Sequence, residues 1–242
     1  MSTTIASQDT ARWRSRLALP AYHFRDAARY AGVPTRTVTS WHRAAASRPA
    51  TLPNREPRHS LSYYELIEVA FVATFRRLGI SLQKIRAARD YAAQELGSEF
   101  PFVQYAWKTE GSHLMLRMQD ITGDVEAGKM VAADMRGQVA WEDVVADRFT
   151  EFDYQDDIAV VWHVARRGNP VLIDPRVAFG APSVSGIPTW ILKGRWDAGE
   201  TIRHIQDDYG LPPQDIVHGL RFEGVSDDGV MNGIGCSVPG SC

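Results

Sequence analysis

The feature that most constrains the fold is the apolar spacing within residues 22–43, YHFRDAARYAGVPTRTVTSWHR. Apolar side chains recur there at helical spacing on both sides of a break, at Phe24, Ala27, Ala28, Ala31, Val33, Val38 and Trp41. Gly32 at the break tolerates the left-handed conformation that ends a helix, and Pro34 is suited to the start of the next one. The stretch therefore predicts a helix, a turn of about four residues and a second helix.

The outer face of this second helix is polar, and its only charges are positive. We expect it to enter a DNA major groove, where phosphates are met first and base edges second. Its candidate DNA-binding residues are Thr35, Arg36, Thr37, Thr39, Ser40, His42 and Arg43. Arg25 and Arg58 are candidate phosphate contacts, and Trp41 is expected in the core. The alternative is a helix pair that serves packing alone.

Charge is unevenly distributed along the chain. Residues 1–60 hold ten Arg, no Lys and three acids, a net charge of +7. The remaining 182 residues hold 17 basic and 26 acidic groups, a net charge of −9. A basic end joined to an acidic body suits a polyanion-binding head with a different kind of partner behind it. A solvated arginine-rich surface is the alternative interpretation.

Composition and turn signals divide the chain into five segments and predict an α+β fold. A loosely ordered arm, with Arg12, Arg14 and Arg16 free to follow a phosphate backbone, precedes the helix-turn-helix. A proline-rich linker follows it, and then two helices, the first capped by Ser62 and Glu65. The predicted segments are an arm (1–20), a winged helix-turn-helix (21–97), a small β-rich module (98–168), a three-helix domain (169–224) and a flexible tail (225–242).

The β-rich module is predicted from short β-prone runs between turn residues, with four or five strands and a possible short helix at 139–146. The C-terminal domain is expected to contain three helices, at 188–196, 200–209 and 212–222, with helix-turn-helix-like connections. Its second helix ends in Asp207 and Asp208, so a protein partner is favoured over phosphate. Trp190 and Trp196 are either core residues or anchors for such a partner, since Trp is common at interface hot spots.

Catalytic signatures are missing from the sequence. We find no nucleophile elbow, P-loop, zinc-protease motif or dinucleotide-binding fingerprint, so we expect a protein that is not an enzyme and that uses no cofactor or metal. Cys236 and Cys242 lie in a Gly/Ser-rich end and suggest neither a disulfide framework nor a zinc site. No run of 18 apolar residues and no signal peptide is present, and we expect a cytoplasmic protein.

Two stretches resemble known families. Residues 22–43, followed by RHSLSYYELIEVAFVATFRRLGISLQKIRAA, resemble the winged helix-turn-helix head of MerR-type regulators. That family carries an R-x-LGISL-x-x-I run, which here begins at Arg77 and ends at Ile85. The resemblance implies that helix 34–43 is the groove helix and that Arg55, Arg58 and His59 lie in or beside the wing. This chain departs from the family after these helices, where a long dimer coiled coil is replaced by predicted strands.

The C-terminal stretch is similar to an antitoxin-type domain of unknown function found in many bacterial chains. Its hallmarks are DPR, spaced Gly and Pro residues, AGE and DYGL, which here begin at Asp174, Gly180, Ala198 and Asp208. With both stretches in one protein, the chain resembles the long VapB-like antitoxins of mycobacteria and related actinobacteria. This implies an antitoxin that binds a PIN-domain ribonuclease toxin (VapC-like) and its own operator DNA.

Two other functions stay open at this point. The chain could be a ligand-responsive MerR-like regulator without a toxin partner, with the β-rich module as sensor, or an enzyme with an unrecognised acid cluster. A DNA-binding head of this size usually acts as a dimer, because two-fold symmetry doubles the phosphate contacts. We therefore predict a homodimer.

Overall fold

The computed structural model describes residues 13–45, 49–56, 58–77, 79–104 and 150–226. These residues form helices and small antiparallel sheets, so the fold is α+β as predicted. They fall into two compact units that divide between Val160 and Val161. Most of the expected β-rich module, the possible helix at 139–146, Cys236 and Cys242 lie outside the described residues.

The first unit is mainly helical. Its helices are α1 (Phe24–Ala31), α2 (Thr35–Trp41), α3 (Tyr63–Arg77) and α4 (Leu82–Leu96). Residues 13–17 are also helical, and Leu17 is fully buried, whereas residues 1–12 of the predicted arm lie outside the described residues.

The predicted capping box opens α3. The Ser62 N–H donates to Glu65 Oε2 at 2.8 Å, and the Glu65 N–H donates to Ser62 Oγ at 3.2 Å. Each side chain thus satisfies a backbone donor that the first helical turn leaves open.

Helix α3 is the centre of the first unit. It is buried on nearly every face, as expected of a helix surrounded by other elements. Phe71 stacks on Phe152 with ring centroids 5.5 Å apart, and the ring centroids of Phe71 and Phe102 are 5.7 Å apart.

Phe152 belongs to strand β1 (Phe152–Gln155), which pairs with β2 (Ile158–Trp162). The turn between them is Asp156-Asp157, both with positive φ (50° and 61°), as a tight hairpin requires.

A buried ion pair joins α3 to α4. Arg89 Nε donates to Glu68 Oε2 at 2.8 Å, and the backbone N–H of Phe102 donates to Glu68 Oε1 at 2.9 Å. Glu68 is fully buried, and this desolvation raises the pKa of its carboxyl to about 7. The carboxyl therefore holds α4 and the 3-10 segment Pro101–Val103 against α3.

The second unit packs three helices on a small sheet. Strands β3 (Val171–Leu172), β4 (Ser183–Val184) and β5 (Ile187–Pro188) pair antiparallel in that order. The helices are α5 (Thr189–Asp197), α6 (Ile202–Tyr209) and α7 (Pro213–Phe222). Its core is aliphatic and includes Val171, Val184, Leu192, Ile202, Ile205, Leu211, Ile216, Val217 and Leu220.

The three C-terminal helices begin within two residues of their predicted starts. The sheet beside them was not predicted, and strands β3 to β5 are therefore an addition to the three predicted helices. Strands of two residues are too short to show the alternation by which strands are recognised. The winged arrangement of the first unit and the five-segment division of the whole chain stay predictions.

Candidate nucleic-acid and partner-binding surfaces

The turn between α1 and α2 has the geometry predicted from Gly32. This glycine adopts φ 66° and ψ 37°, and its N–H and that of Val33 bond back to carbonyls of α1. Arg77 of α3 donates from Nη1 to the carbonyl oxygen of Ala31 at 2.9 Å. The end of α1 is therefore fixed both by its own turn and by α3.

Helix α2 turns Val38 and Trp41 into the core and presents a polar face outward. Thr35, Arg36 and Arg43 are exposed, and Thr37, Thr39 and Ser40 are half-buried. The hydroxyl of Thr39 donates to the carbonyl of Thr35, and that of Ser40 donates to the carbonyl of Thr37. These two hydroxyls already serve their own helix, so the two arginines are the groups with the greatest reach toward DNA.

His42 is the exception among the predicted DNA contacts. Its side chain is fully buried, its ring lies edge-on to Phe24 with centroids 5.2 Å apart, and Nδ1 lies 2.8 Å from the carbonyl oxygen of Pro53. The prediction that it faces DNA is therefore wrong. His42 keeps helical backbone angles (φ −87°, ψ −5°) and follows Val38 by one turn, so it lies on the inward face with Val38 and Trp41.

The other predicted basic contacts differ in how far they are engaged. Arg25 is exposed and lies beside Asp26, 3.5 Å away, and Arg58 is exposed. Arg55 is occupied by Glu65, with Nε to Oε1 at 2.7 Å. Arg14 was expected to be free, but its guanidinium pairs with Asp156 at 3.3 Å.

The second unit exposes large apolar side chains. Phe179 is 96% exposed and Trp190 63% exposed, whereas Trp196 is half-buried against the aliphatic core. Of the two tryptophans, Trp196 is therefore the core residue. Phe179 was missed by the sequence analysis, because a single aromatic in a loop has no periodicity to mark it.

Phe179 stands in a strained loop. Ala178, Phe179 and Gly180 all have positive φ, at 48°, 54° and 78°. Only glycine adopts this region without cost, and a non-glycine residue there persists when its surroundings hold it. The hallmark Asp174-Pro175-Arg176 forms a turn shortly before this loop, in which Asp174 Oδ1 accepts the N–H of Arg176 at 2.8 Å and Oδ2 accepts its guanidinium at 2.7 Å. The turn residues thus have the structural role that was the alternative to a binding site.

The AGE and DYGL hallmarks are joined by one arginine. Arg195 of α5 donates from Nε to Glu200 at 2.8 Å, and its Nη2 also bonds Asp208. The same guanidinium lies over the ring of Tyr209, 5.1 Å from its centroid. Arg195 holds the pKa of the Glu200 carboxyl below its usual range. The two hallmarks therefore tie α5, the loop after it and α6 together.

The part of the chain that the structure describes was searched for metal-ligand groups and for membrane-spanning helices. No group of three or more His, Cys, Asp or Glu there is placed to hold a metal ion. Within the same residues, no helix has both the length and the apolar character needed to span a bilayer.

A curated protein sequence and a solved structure, both from Mycobacterium tuberculosis, resemble this chain along most of its length. One is described as "Putative antitoxin VapB45" from Mycobacterium tuberculosis; it is 25% identical over 222 residues, covering 83% of this chain and 92% of the relative. The other is the crystal structure of Rv2018 from the same species. It shares the fold with a TM-score of 0.67, 23% identity, and coverage of 84% of this chain and 98% of that one. No family model matches the chain. The predicted similarity of this chain to a long VapB-like antitoxin of mycobacteria is thereby confirmed.

Proposed function

We propose that this chain is the antitoxin of a type II toxin–antitoxin system. In this role it binds and neutralises a PIN-domain ribonuclease toxin and represses its own operon by binding operator DNA. The similarity to a described antitoxin over 83% of the chain carries the proposal. The proposed function is one of binding. The same similarity favours an antitoxin over a stand-alone ligand-responsive regulator.

The DNA-binding part of the proposal is supported by the exposed face of α2. Arg36 and Arg43 are both exposed on the segment that the sequence analysis assigned to the groove. Arg25 and Arg58 supply positive charge on either side in sequence, where phosphate contacts would fix the register. Thr35 is exposed beside Arg36, and we retain Thr37, Thr39 and Ser40 as short-range contacts in a winged helix-turn-helix head.

The toxin-binding part is supported by the exposed aromatic side chains of the second unit. Phe179 and Trp190 are of the types that dominate interface energetics when they enter a pocket on a partner. Several charges of this unit are paired internally, among them Arg176 with Asp174 and Lys193 with Asp197. An apolar anchor is therefore the contact that this surface offers most directly.

We further propose that the active form is a homodimer, since a two-fold symmetric head reads a palindromic operator.

Toxin binding and DNA binding are tested together. The chain is co-expressed with the product of the adjacent reading frame, the complex is purified, and each species is titrated onto the upstream DNA at two salt concentrations. We expect the partner to co-purify and DNA binding to weaken as salt rises, because phosphate contacts release counterions.

The matched control is the Arg203→Ala variant, which removes an exposed arginine from α6. It should bind DNA like the wild type, whereas Arg36→Ala should not. Failure of any neighbouring product to co-purify, with DNA binding intact, would overturn the antitoxin part and leave a regulator.

A further inference from the structure

His42 lies where α1, the end of α2 and residues 51–55 meet. Four hydrogen bonds join the end of α2 to residues 51–55, which we call the strap. The N–H groups of Thr51 and Leu52 donate to the carbonyl of Trp41 at 2.8 and 3.0 Å, and the N–H of Arg55 donates to the carbonyl of His42 at 3.1 Å. The fourth bond is from the His42 ring to Pro53.

The ring bond determines the tautomer of His42. A carbonyl oxygen only accepts, so Nδ1 carries the hydrogen and, in the neutral ring, Nε2 is an acceptor. Nε2 is buried and has no hydrogen-bond partner among the described residues. A second proton would therefore create both a buried charge and a buried N–H donor without an acceptor.

The groups around the ring partly offset one another. Burial lowers the pKa of His42 most strongly, and Arg55 of the strap and Arg89 of α4 lower it further. The bond to Pro53 and the charge of Glu65 on α3 oppose this shift. Phe24, the neighbour on α1, is uncharged. The net shift is downward, so the folded head holds a neutral ring and loses stability as the pH falls below about 6.5, the ordinary value for histidine.

We propose that His42 is a positioning residue of the DNA-binding head: its buried, neutral ring fastens the strap to the end of the groove helix, and acidification weakens DNA binding. A second proton on Nε2 would place a charge and an unpaired N–H in this buried site, so the protonated ring leaves the site and the strap is released. The inference rests on the proposed DNA-binding function. Arg43 follows directly on His42, and Arg58 follows the strap at a distance of three residues. A loose strap would leave these two cations without a fixed spacing, and phosphate contacts depend on that spacing.

The test compares three proteins over a range from about pH 7.5 to about pH 5, where histidine titrates. These are the wild type, His42→Asn and His59→Asn. Asparagine places an amide N–H close to the position of Nδ1 and does not ionise, and His59 is an exposed histidine of the same unit. Binding to a duplex from the DNA immediately upstream of the gene is measured by fluorescence anisotropy at constant salt.

Wild type and His59→Asn should lose affinity by up to about tenfold for each pH unit below the titration of the ring, because only the neutral form is competent. His42→Asn should keep its affinity across the range. A wild-type profile that is flat, or a His42→Asn profile that falls like the wild type, would overturn the proposal.

Hydrogen exchange of the wild type alone separates this proposal from the proposed function. The amides of Thr51, Leu52 and Arg55 should lose protection in acid, whereas that of Leu61, which bonds Tyr22 at 2.7 Å, should not. Equal protection at all four amides in acid would overturn the role of His42. Absence of DNA binding at neutral pH would refute the DNA-binding function, and the exchange data would still decide whether His42 fastens the strap.

Discussion

Arg77 reaches from the end of α3 to the last carbonyl of α1, with Nη1 donating to the Ala31 oxygen at 2.9 Å. Its Nη2 also donates to the hydroxyl of Thr74. The last carbonyls of a helix have no partner within the helix, and a cation placed there both bonds them and complements the helix dipole. Arg77 thus links the central helix of the first unit to the helix that leads into the turn at Gly32.

Replacing Arg77 should destabilise the first unit. Arg77→Met keeps much of the aliphatic stem and removes the donors, so the free energy of unfolding should fall by about 1–2 kcal/mol, the scale of a charge-assisted hydrogen bond. Urea denaturation of the full chain measures this. Arg36→Met, which removes an exposed arginine from α2, should change the value by less than about 0.5 kcal/mol. Equal effects of the two substitutions would show that the bond to Ala31 contributes nothing.

The contact between α5 and α7 leaves no room for a side chain at Gly219. A Cβ there would lie 2.7 Å from Leu192 Cδ1 and 3.4 Å from Val184 Cγ2. Gly219→Ala should therefore destabilise the second unit, since overpacking typically costs about 1–3 kcal/mol and the gain in helix propensity returns about 1.

Gly194 on α5 is the matched control, because a Cβ there meets nothing within 4 Å. Gly194→Ala should raise stability by up to about 1 kcal/mol, which is the helix propensity gain alone. Thermal unfolding of the two variants should shift in opposite directions. Shifts of the same sign would contradict the packing argument.

Removal of Arg36 should weaken operator binding. Arg36→Ala is expected to cost about 1–3 kcal/mol if the guanidinium contacts a base edge, and to relax specificity at one position of the site. Arg58→Ala should instead weaken binding to all sequences alike and reduce the salt dependence by about one phosphate contact. Titrations on the upstream duplex and on a scrambled duplex distinguish the two patterns. Unchanged binding by both variants would place the DNA contact elsewhere.

Truncation of the exposed aromatics should weaken the complex with the toxin. Phe179→Ala and Trp190→Ala should each reduce affinity by about tenfold or more, the effect of losing an interface anchor. Stability should not fall, because the two side chains are 96% and 63% exposed. Affinity is measured by calorimetry with the co-purified partner, and Val177→Ala, at 36% exposure, gives a milder comparison. Full affinity in both aromatic variants would exclude these side chains as anchors.

Local sequence signals were enough to predict much of this fold. Gly32 ends α1 in the left-handed conformation, and Ser62 with Glu65 forms the capping box of α3. Helices α5, α6 and α7 begin within two residues of their predicted starts. These features depend on side chains within three or four residues of one another, so they can be read without knowledge of the rest of the chain.

Tertiary structure alone decided the features that depend on residues distant in sequence. The groups that the His42 ring contacts, Phe24 and the carbonyl of Pro53, depend on how α1 packs against α2 and on where residues 51–55 return. Arg14 and Asp156 are 142 residues apart, and the Glu68–Arg89 pair forms only when α3 and α4 pack. Strands β3 to β5 have two residues each and exist because they pair with one another. In each case the partner is selected by packing, and helical or strand periodicity contains no information about it.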